Sequence, residues 1–98
     1  MNRLIHMEKH CPICGKGGQL AFLLCDDQTT LVVICEECSS IWQSPMDVGH
    51  GVIYAADPPD WHIPELRCGI GEGSRWATRQ EIEDAGFGDS IAGESDAL

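Results

Sequence analysis

Two pairs of cysteines, each with two residues between its members, constrain the fold of this chain more than any other feature. Cys11 and Cys14 form the first pair, and Cys35 and Cys38 form the second pair after a gap of twenty residues. Two intervening residues let both sulfurs of one turn reach the same ion at the Zn–S distance of ~2.3 Å. Four thiolates complete a tetrahedral shell, which is typical of structural rather than catalytic zinc. The spacing therefore predicts one structural Zn²⁺ held by these four cysteines.

The size of the chain and its lack of long apolar segments favour metal binding over disulfides. The chain has 98 residues, and a domain of this size often needs a metal or disulfides for stability. No apolar stretch approaches the ~20 residues that cross a membrane, and the start has no signal-peptide run. We therefore expect a cytoplasmic protein, in which paired cysteines usually bind metal. Two alternatives stay open: iron held by the same thiolates, and disulfides within each pair.

Apolar residues between the two cysteine pairs predict a β-hairpin. Its strands are expected over residues 19–25 and 30–35, because both are apolar and rich in branched side chains. The polar residues 26–29 between them form the expected turn. Residues 41–43 predict a third strand, and residues 51–56 predict a further one.

The C-terminal half predicts one short helix and a tail. Thr78 is a favourable N-cap, Glu81 three residues later completes a capping box, and Gly86 marks the end of the helix. The whole chain is therefore expected to form a small α+β fold with a single domain over residues 1–87. Residues 88–98 are small and acidic, so we expect a disordered tail there.

The cysteine-containing segment resembles the zinc-ribbon family. The matching residues are Cys11-Pro12-Ile13-Cys14-Gly15 and Cys35-Glu36-Glu37-Cys38, with the predicted hairpin between them. The resemblance covers residues 10–43 and implies a zinc-stapled three-stranded sheet. It departs from the family at Ser39, where such turns often repeat the glycine. Members of the family include nucleic-acid readers, enzyme subunits and protein adaptors, so the resemblance implies a fold more than a function.

The net charge of −10 comes from 16 acidic and 6 basic residues. The acids are concentrated in residues 57–98. A surface of this sign repels phosphate backbones and attracts basic surfaces. The alternative interpretation is that the acids only keep the chain soluble.

A tryptophan beside several acids is the main candidate for a binding surface. Aromatic side chains supply much of the binding energy at protein interfaces, and the alternative for this tryptophan is core packing. The candidate partner-binding residues are Asp57, Asp60, Trp61, Glu65 and Glu72. We expect a non-enzymatic, zinc-stabilised, acidic protein-binding module with a basic protein partner. In general character the chain resembles small acidic immunity or antitoxin proteins, which inhibit a toxin or an enzyme.

Nucleic-acid binding is the first alternative function, since many zinc ribbons bind DNA or RNA. It needs a basic patch, which only Arg3, Lys9 and Lys16 could form near the first cysteine turn. Non-specific affinity depends on many phosphate contacts. The sequence therefore makes a nucleic-acid partner the less favoured interpretation.

An enzymatic or redox role is the second alternative. Cys68 could act as a nucleophile only if His50 or His62 were placed beside it as a base. Cys25 ends an apolar strand and is expected to be a small buried side chain. The glycine-rich residues 69–73 contain Glu72 and no basic residue, so we interpret them as a flexible loop rather than a phosphate site.

Overall fold

The computed structural model describes residues 3–13 and 18–96, and its centre is an antiparallel sheet. The strands are β1 (Arg3–His10), β2 (Gln19–Leu24), β3 (Leu31–Cys35), β4 (Ile41–Trp42), β5 (His62–Ile63), β6 (Cys68–Gly69), β7 (Arg75–Trp76) and β8 (Ile91–Asp96). The main sheet has the order β4-β3-β2-β1-β8, β7 pairs with the end of β2, and β5 and β6 form a separate pair. With the helix α1 (Arg79–Asp84), these strands confirm the predicted small α+β class.

The predicted hairpin is confirmed as the β2–β3 pair. Its register runs without interruption from Leu20 opposite Cys35 to Leu24 opposite Leu31. In the turn, the Asp27 carboxylate accepts the backbone N–H groups of the next two threonines at 2.9 and 2.8 Å. A carboxylate that satisfies two amides in this way fixes a tight polar turn. The predicted third strand is present as β4, antiparallel to β3.

Both faces of the hairpin are buried, which explains why its strands are almost entirely apolar. One face, with Leu20, Phe22 and Val33, packs in a cluster that also contains Trp42 of β4, Ile82 of α1 and Phe87 after the helix. The other face is covered by the C-terminal loops, in a cluster that contains Leu23, Val32, Ile34, Ile41, Ile63 and Cys68. A small chain thereby buries apolar residues on two sides of one sheet.

The capping box of α1 is confirmed. The Thr78 hydroxyl accepts the backbone N–H of Glu81 at 3.2 Å, and the Glu81 carboxylate accepts the backbone N–H of Thr78 at 2.8 Å. Arg75 pairs with the same carboxylate and, with the Thr78 amide, lowers the pKa of Glu81 to about 2. Gly86 has φ +87°, the left-handed conformation expected where a helix stops. Among the residues that the structure describes, no helix is long and apolar enough to cross a membrane.

The strand predicted over residues 51–56 is wrong. Tyr54 makes an isolated bridge to Ile41, through backbone hydrogen bonds of 2.8 and 3.3 Å, and the bridge does not extend into a strand. Val52 and Ile53 are exposed. Their apolar character matches a strand, but their side chains pack against no buried surface.

The C-terminal segment differs from the expected disordered tail over residues 88–98. Gly88–Ser90 forms a 3-10 turn, and β8 pairs antiparallel with β1, with Leu4 opposite Ser95 and His6 opposite Gly93. Residues 97 and 98 lie outside the described part of the chain. The small and acidic composition hides this strand, because Ile91 at its start packs against the core but the rest is joined to β1 by backbone pairing.

Removing β8 tests whether this strand stabilises the fold. A chain that ends after Ser90 leaves the outer edge of β1 unpaired, so its melting temperature should fall by at least ~4 °C, the shift that corresponds to about 1 kcal/mol in a domain of this size. A chain that ends after Asp96 keeps β8 and is the matched control. Equal melting temperatures in calorimetry for the two truncated chains would contradict the pairing.

Candidate functional site

Three cysteine sulfurs come together where the N-terminal strands meet. The Sγ atoms of Cys11, Cys35 and Cys38 all lie within 4.8 Å of one another, and those of Cys11 and Cys38 are 3.6 Å apart. A tetrahedral ion with Zn–S bonds of ~2.3 Å would separate its sulfur ligands by roughly 3.8 Å. The spacing of these three sulfurs can hold a metal ion. The fourth predicted ligand, Cys14, lies outside the described residues.

The positions of these sulfurs are set by strands β1 and β3 and by the turn that follows β3. Cys11 directly follows β1, and its backbone N–H donates to the carbonyl of Gly18 at 2.9 Å, just before β2 begins. Cys35 ends β3, its carbonyl accepts the N–H of Ser39 at 3.0 Å, and its own N–H donates to Ser40 at 3.0 Å. This tight turn folds Cys38 back toward Cys35. The metal site thus joins the end of β1 to the end of β3.

Ser39 shows why the missing glycine does not disrupt this turn. Its φ is +62°, in the left-handed region that glycine adopts most easily. Serine therefore takes the glycine conformation here, at a cost of roughly 1–2 kcal/mol. The backbone path of the turn is kept, and so is the position of the ligand Cys38.

Backbone amides point at the sulfurs, as expected around thiolates. The N–H of Ile13 donates to the sulfur of Cys11 at 3.3 Å, and the N–H groups of Glu37 and Cys38 approach the sulfur of Cys35 at 3.4 and 3.5 Å. Such donors stabilise negative charge on a metal-bound sulfur. This donor set of soft sulfur atoms suits zinc or iron.

The environments of the sulfurs differ. The hydrogen bond with the Ser40 hydroxyl, at a distance of 3.1 Å, lowers the pKa of the exposed Cys38 to about 7. Burial raises the pKa of the Cys35 thiol to about 12. Metal binding must remove the protons of the thiols that become ligands, so metal affinity falls as the pH is lowered.

The two remaining cysteines lie in the second apolar cluster, away from these ligands. Cys25 is fully buried, as predicted, and Cys68 is 3% exposed. Burial, together with the nearby Cys68 side chain, raises the pKa of Cys25. His50 and His62, the candidate bases, are exposed. A buried Cys68 is poorly placed to meet a substrate.

The structure brings three of the five candidate partner-binding residues together. Asp60, Trp61 and Glu72 line one open concavity of about 290 Å³, which Asp26 and Pro59 complete. The Trp61 residue is 49% exposed. The other two candidates, Asp57 and Glu65, are exposed but do not line this concavity. The sequence indicates Asp26 only as part of the hairpin turn, because the approach of that turn to residues 69–73 is a long-range contact.

A second concavity of about 460 Å³ shares Trp61 and was not predicted. Its lining residues are Cys38, Ser39, Ala55, Ala56, Trp61 and Ile70. Cys38 therefore contributes to two features, since it belongs to the sulfur cluster and also lines this cavity. No sequence pattern signals the cavity, because it joins three segments that are distant along the chain.

Substitution of Gly18 tests the geometry of the sulfur cluster. A Cβ atom at this position would lie 2.7 Å from the Cys35 sulfur and 3.1 Å from the side chain of Glu37. Gly18→Ala should therefore weaken binding of Co²⁺, a spectroscopic probe of tetrahedral thiolate sites, by about tenfold or more. Gly93→Ala is the matched control, since its Cβ would have no neighbour within 4 Å. Equal Co²⁺ affinities for the two variants would contradict the described geometry.

Comparison with known protein families, with curated proteins and with solved structures finds no match to this chain. Its function is therefore inferred from its own residues.

Proposed function

We propose that the sulfur cluster is a structural Zn²⁺ site of the zinc-ribbon type, with Cys14 as its fourth ligand. The three described sulfurs and their N–H donors support this assignment, as does the position of the cluster between the ends of β1 and β3. Cys14 directly follows Ile13, and its C-x2-C spacing from Cys11 lets its sulfur reach the same ion. A site closed by four thiolates stabilises the fold and leaves no position for a substrate.

We further propose that the chain is a non-enzymatic protein-binding module, and that Trp61 is the centre of its binding surface. The observation that carries this proposal is a large aromatic residue, 49% exposed, that shares a concavity with Asp60 and Glu72. Exposed tryptophans supply large contact areas, and they are enriched among the residues that dominate interface energies. The burial of Cys68 and Cys25 supports a role other than catalysis.

The charge of the surface favours a basic protein partner. Asp26, Asp60 and Glu72 surround Trp61, and no lysine or arginine lines that concavity among the described residues. Electrostatic attraction between complementary surfaces speeds association with a partner of opposite charge. An inhibitor of a basic toxin or enzyme, of the immunity or antitoxin kind, in the cytoplasm, fits this chemistry best.

The same charges oppose nucleic-acid binding. The described basic side chains are the exposed residues Arg67, Arg75 and Arg79, and Arg75 is paired with Glu81. Phosphate contacts require several free cations on one face. We therefore favour a protein as the partner.

This function is tested by comparing how much of the partner is captured by the parent chain and by the Trp61→Ala variant. We expect the chain, expressed in its native cells, to retain one stoichiometric basic protein. Trp61→Ala should reduce this recovery by about tenfold or more, since loss of a central aromatic side chain costs ~2 kcal/mol or more at an interface. The control is Met46→Ala, which removes a side chain that is also exposed (76%) but lies outside both concavities.

The readout is quantitative mass spectrometry of the retained protein, together with a thermal melt of each variant. Both variants should have the same melting temperature as the parent chain, because each replaces an exposed side chain. Unchanged recovery with Trp61→Ala would contradict Trp61 as the centre of the binding surface.

A further inference from the structure

Trp61 is held in place by a closed loop rather than displayed on a flexible one. Asp57 and His62 exchange two backbone hydrogen bonds, of 2.7 and 3.0 Å, which close the loop between them. The carbonyl of Trp61 accepts the N–H of Ile70 at 2.9 Å. Trp61 itself has φ +57°, a conformation that the surrounding contacts must maintain. The loop is therefore fixed on both sides of the indole.

The glycine-rich residues 69–73 complete this support, because two of these glycines pack closely against the backbone around Trp61 and the hairpin turn. A Cβ atom at Gly71 would lie 2.6 Å from the carbonyl oxygen of Asp60 and 3.3 Å from the Trp61 ring. At Gly69 it would lie 2.7 Å from the Asp26 carboxylate and 3.2 Å from the Trp61 carbonyl. These glycines let two backbone segments pack together closely.

Asp26 also supports this loop, because it is hydrogen-bonded to Gly69 through both its carboxylate and its backbone. Its Oδ1 accepts the N–H of Gly69 at 2.9 Å, and its own backbone N–H donates to the Gly69 carbonyl at 2.9 Å. The hairpin turn is thereby tied to the segment that supports Trp61. A binding surface that is ordered before the partner arrives avoids part of the entropy cost of association.

Trp61 is the residue common to two concavities that differ in charge. The acidic concavity is formed with Asp26, Asp60 and Glu72. The other has a largely apolar lining, to which Ile70 and two alanines contribute, and which extends to the second cysteine turn. Because Trp61 lines both, the two concavities are adjacent, and groups bound in them would both contact this side chain.

We propose that this pair of concavities binds an extended segment of the partner in which an apolar residue and an arginine are separated by one residue. Side chains at positions i and i+2 of an extended chain point to the same side, about 6.6 Å apart. The apolar side chain occupies the larger concavity, and the guanidinium lies between the indole and the carboxylates of Asp60 and Glu72. Arginine suits this position because its planar cation stacks on aromatic rings and pairs with carboxylates. The assignment rests on the proposed protein-binding function and names the chemistry of the partner.

Bound metal is part of this recognition. Cys38 and Ser39 line the apolar concavity, and Cys38 belongs to the sulfur cluster. An ion that fixes Cys38 also fixes this side of the concavity. Removing the metal should therefore weaken binding of the apolar residue more than binding of the arginine.

Three capped tripeptides test the proposal on the metal-bound chain. The probe is acetyl-Leu-Gly-Arg-amide; acetyl-Ser-Gly-Arg-amide lacks the apolar side chain and acetyl-Leu-Gly-Gln-amide lacks the charge. Each is titrated into isotope-labelled protein, and the NMR shifts of the Trp61 indole and of the amides of Ala56, Ile70, Asp60 and Glu72 are followed.

The probe should shift signals from both concavities with a single Kd, at least about fivefold tighter than the Kd of either control peptide. Trp61→Ala should abolish the saturable shifts in both concavities, whereas Met46→Ala should leave them unchanged. Three results would overturn the proposal: no saturable shift, equal affinity for the three peptides, or shifts spread over all exposed acids.

This experiment is separable from the test of the proposed function. Partner recovery that depends on Trp61, combined with no tripeptide binding, would keep the protein-binding function and reject the two-site recognition. Tripeptide binding, combined with no partner whose recovery depends on Trp61, would keep the two-site recognition and reject the protein-binding function.

Discussion

The sulfur cluster is the contact on which the rest of this structure depends. Cys11 follows β1 and Cys35 ends β3, so an ion held between them would tie together the two strands that flank β2 in the sheet. A chain of 98 residues has a limited core, and metal binding can supply much of the folding free energy of such small domains. Two further residues maintain the positions of the sulfurs. Gly18 leaves space for the Cys35 sulfur, and Ser39, in the left-handed conformation, turns the chain after Cys38.

The two-sided burial of the β2–β3 hairpin links this metal site to the proposed binding surface. Helix α1 covers one face, and the loops after β4 must cover the other. Those loops cross the sheet near the hairpin turn, where Asp26 is hydrogen-bonded to Gly69, and they end up beside Cys38. Trp61 is therefore exposed at a place where the second cysteine turn, the hairpin turn and the C-terminal loops converge.

Local signals in the sequence predicted the parts of the fold that are encoded by neighbouring residues. The cysteine spacing indicated the sulfur cluster, the apolar runs indicated the hairpin, and Thr78 with Glu81 indicated the helix start. Each depends on residues that are a few positions apart, or on a simple turn between two strands. These features could be read without knowing how distant segments pack.

Features that depend on long-range contacts could not be read in this way. Strand β8 owes its structure to backbone pairing with β1 at the other end of the chain, and its composition resembles a tail. Gly69 and Gly71 resemble a flexible loop until their neighbours Asp26 and Trp61 are known. For the same reason, the sequence indicated Asp57, Asp60, Trp61, Glu65 and Glu72 as one group, although Asp57 and Glu65 do not line the acidic concavity. No local pattern indicated the second concavity beside Trp61.

X-ray absorption spectroscopy at the zinc edge, on protein isolated without added metal, tests the central claim most directly. The measurement reports the identity of the ion, the number of sulfur ligands and their distances. The four-cysteine site predicts one zinc per chain with four sulfur ligands at ~2.3 Å. A chain without tightly bound zinc, or zinc with fewer than four sulfur ligands, would contradict a closed structural site formed by Cys11, Cys14, Cys35 and Cys38.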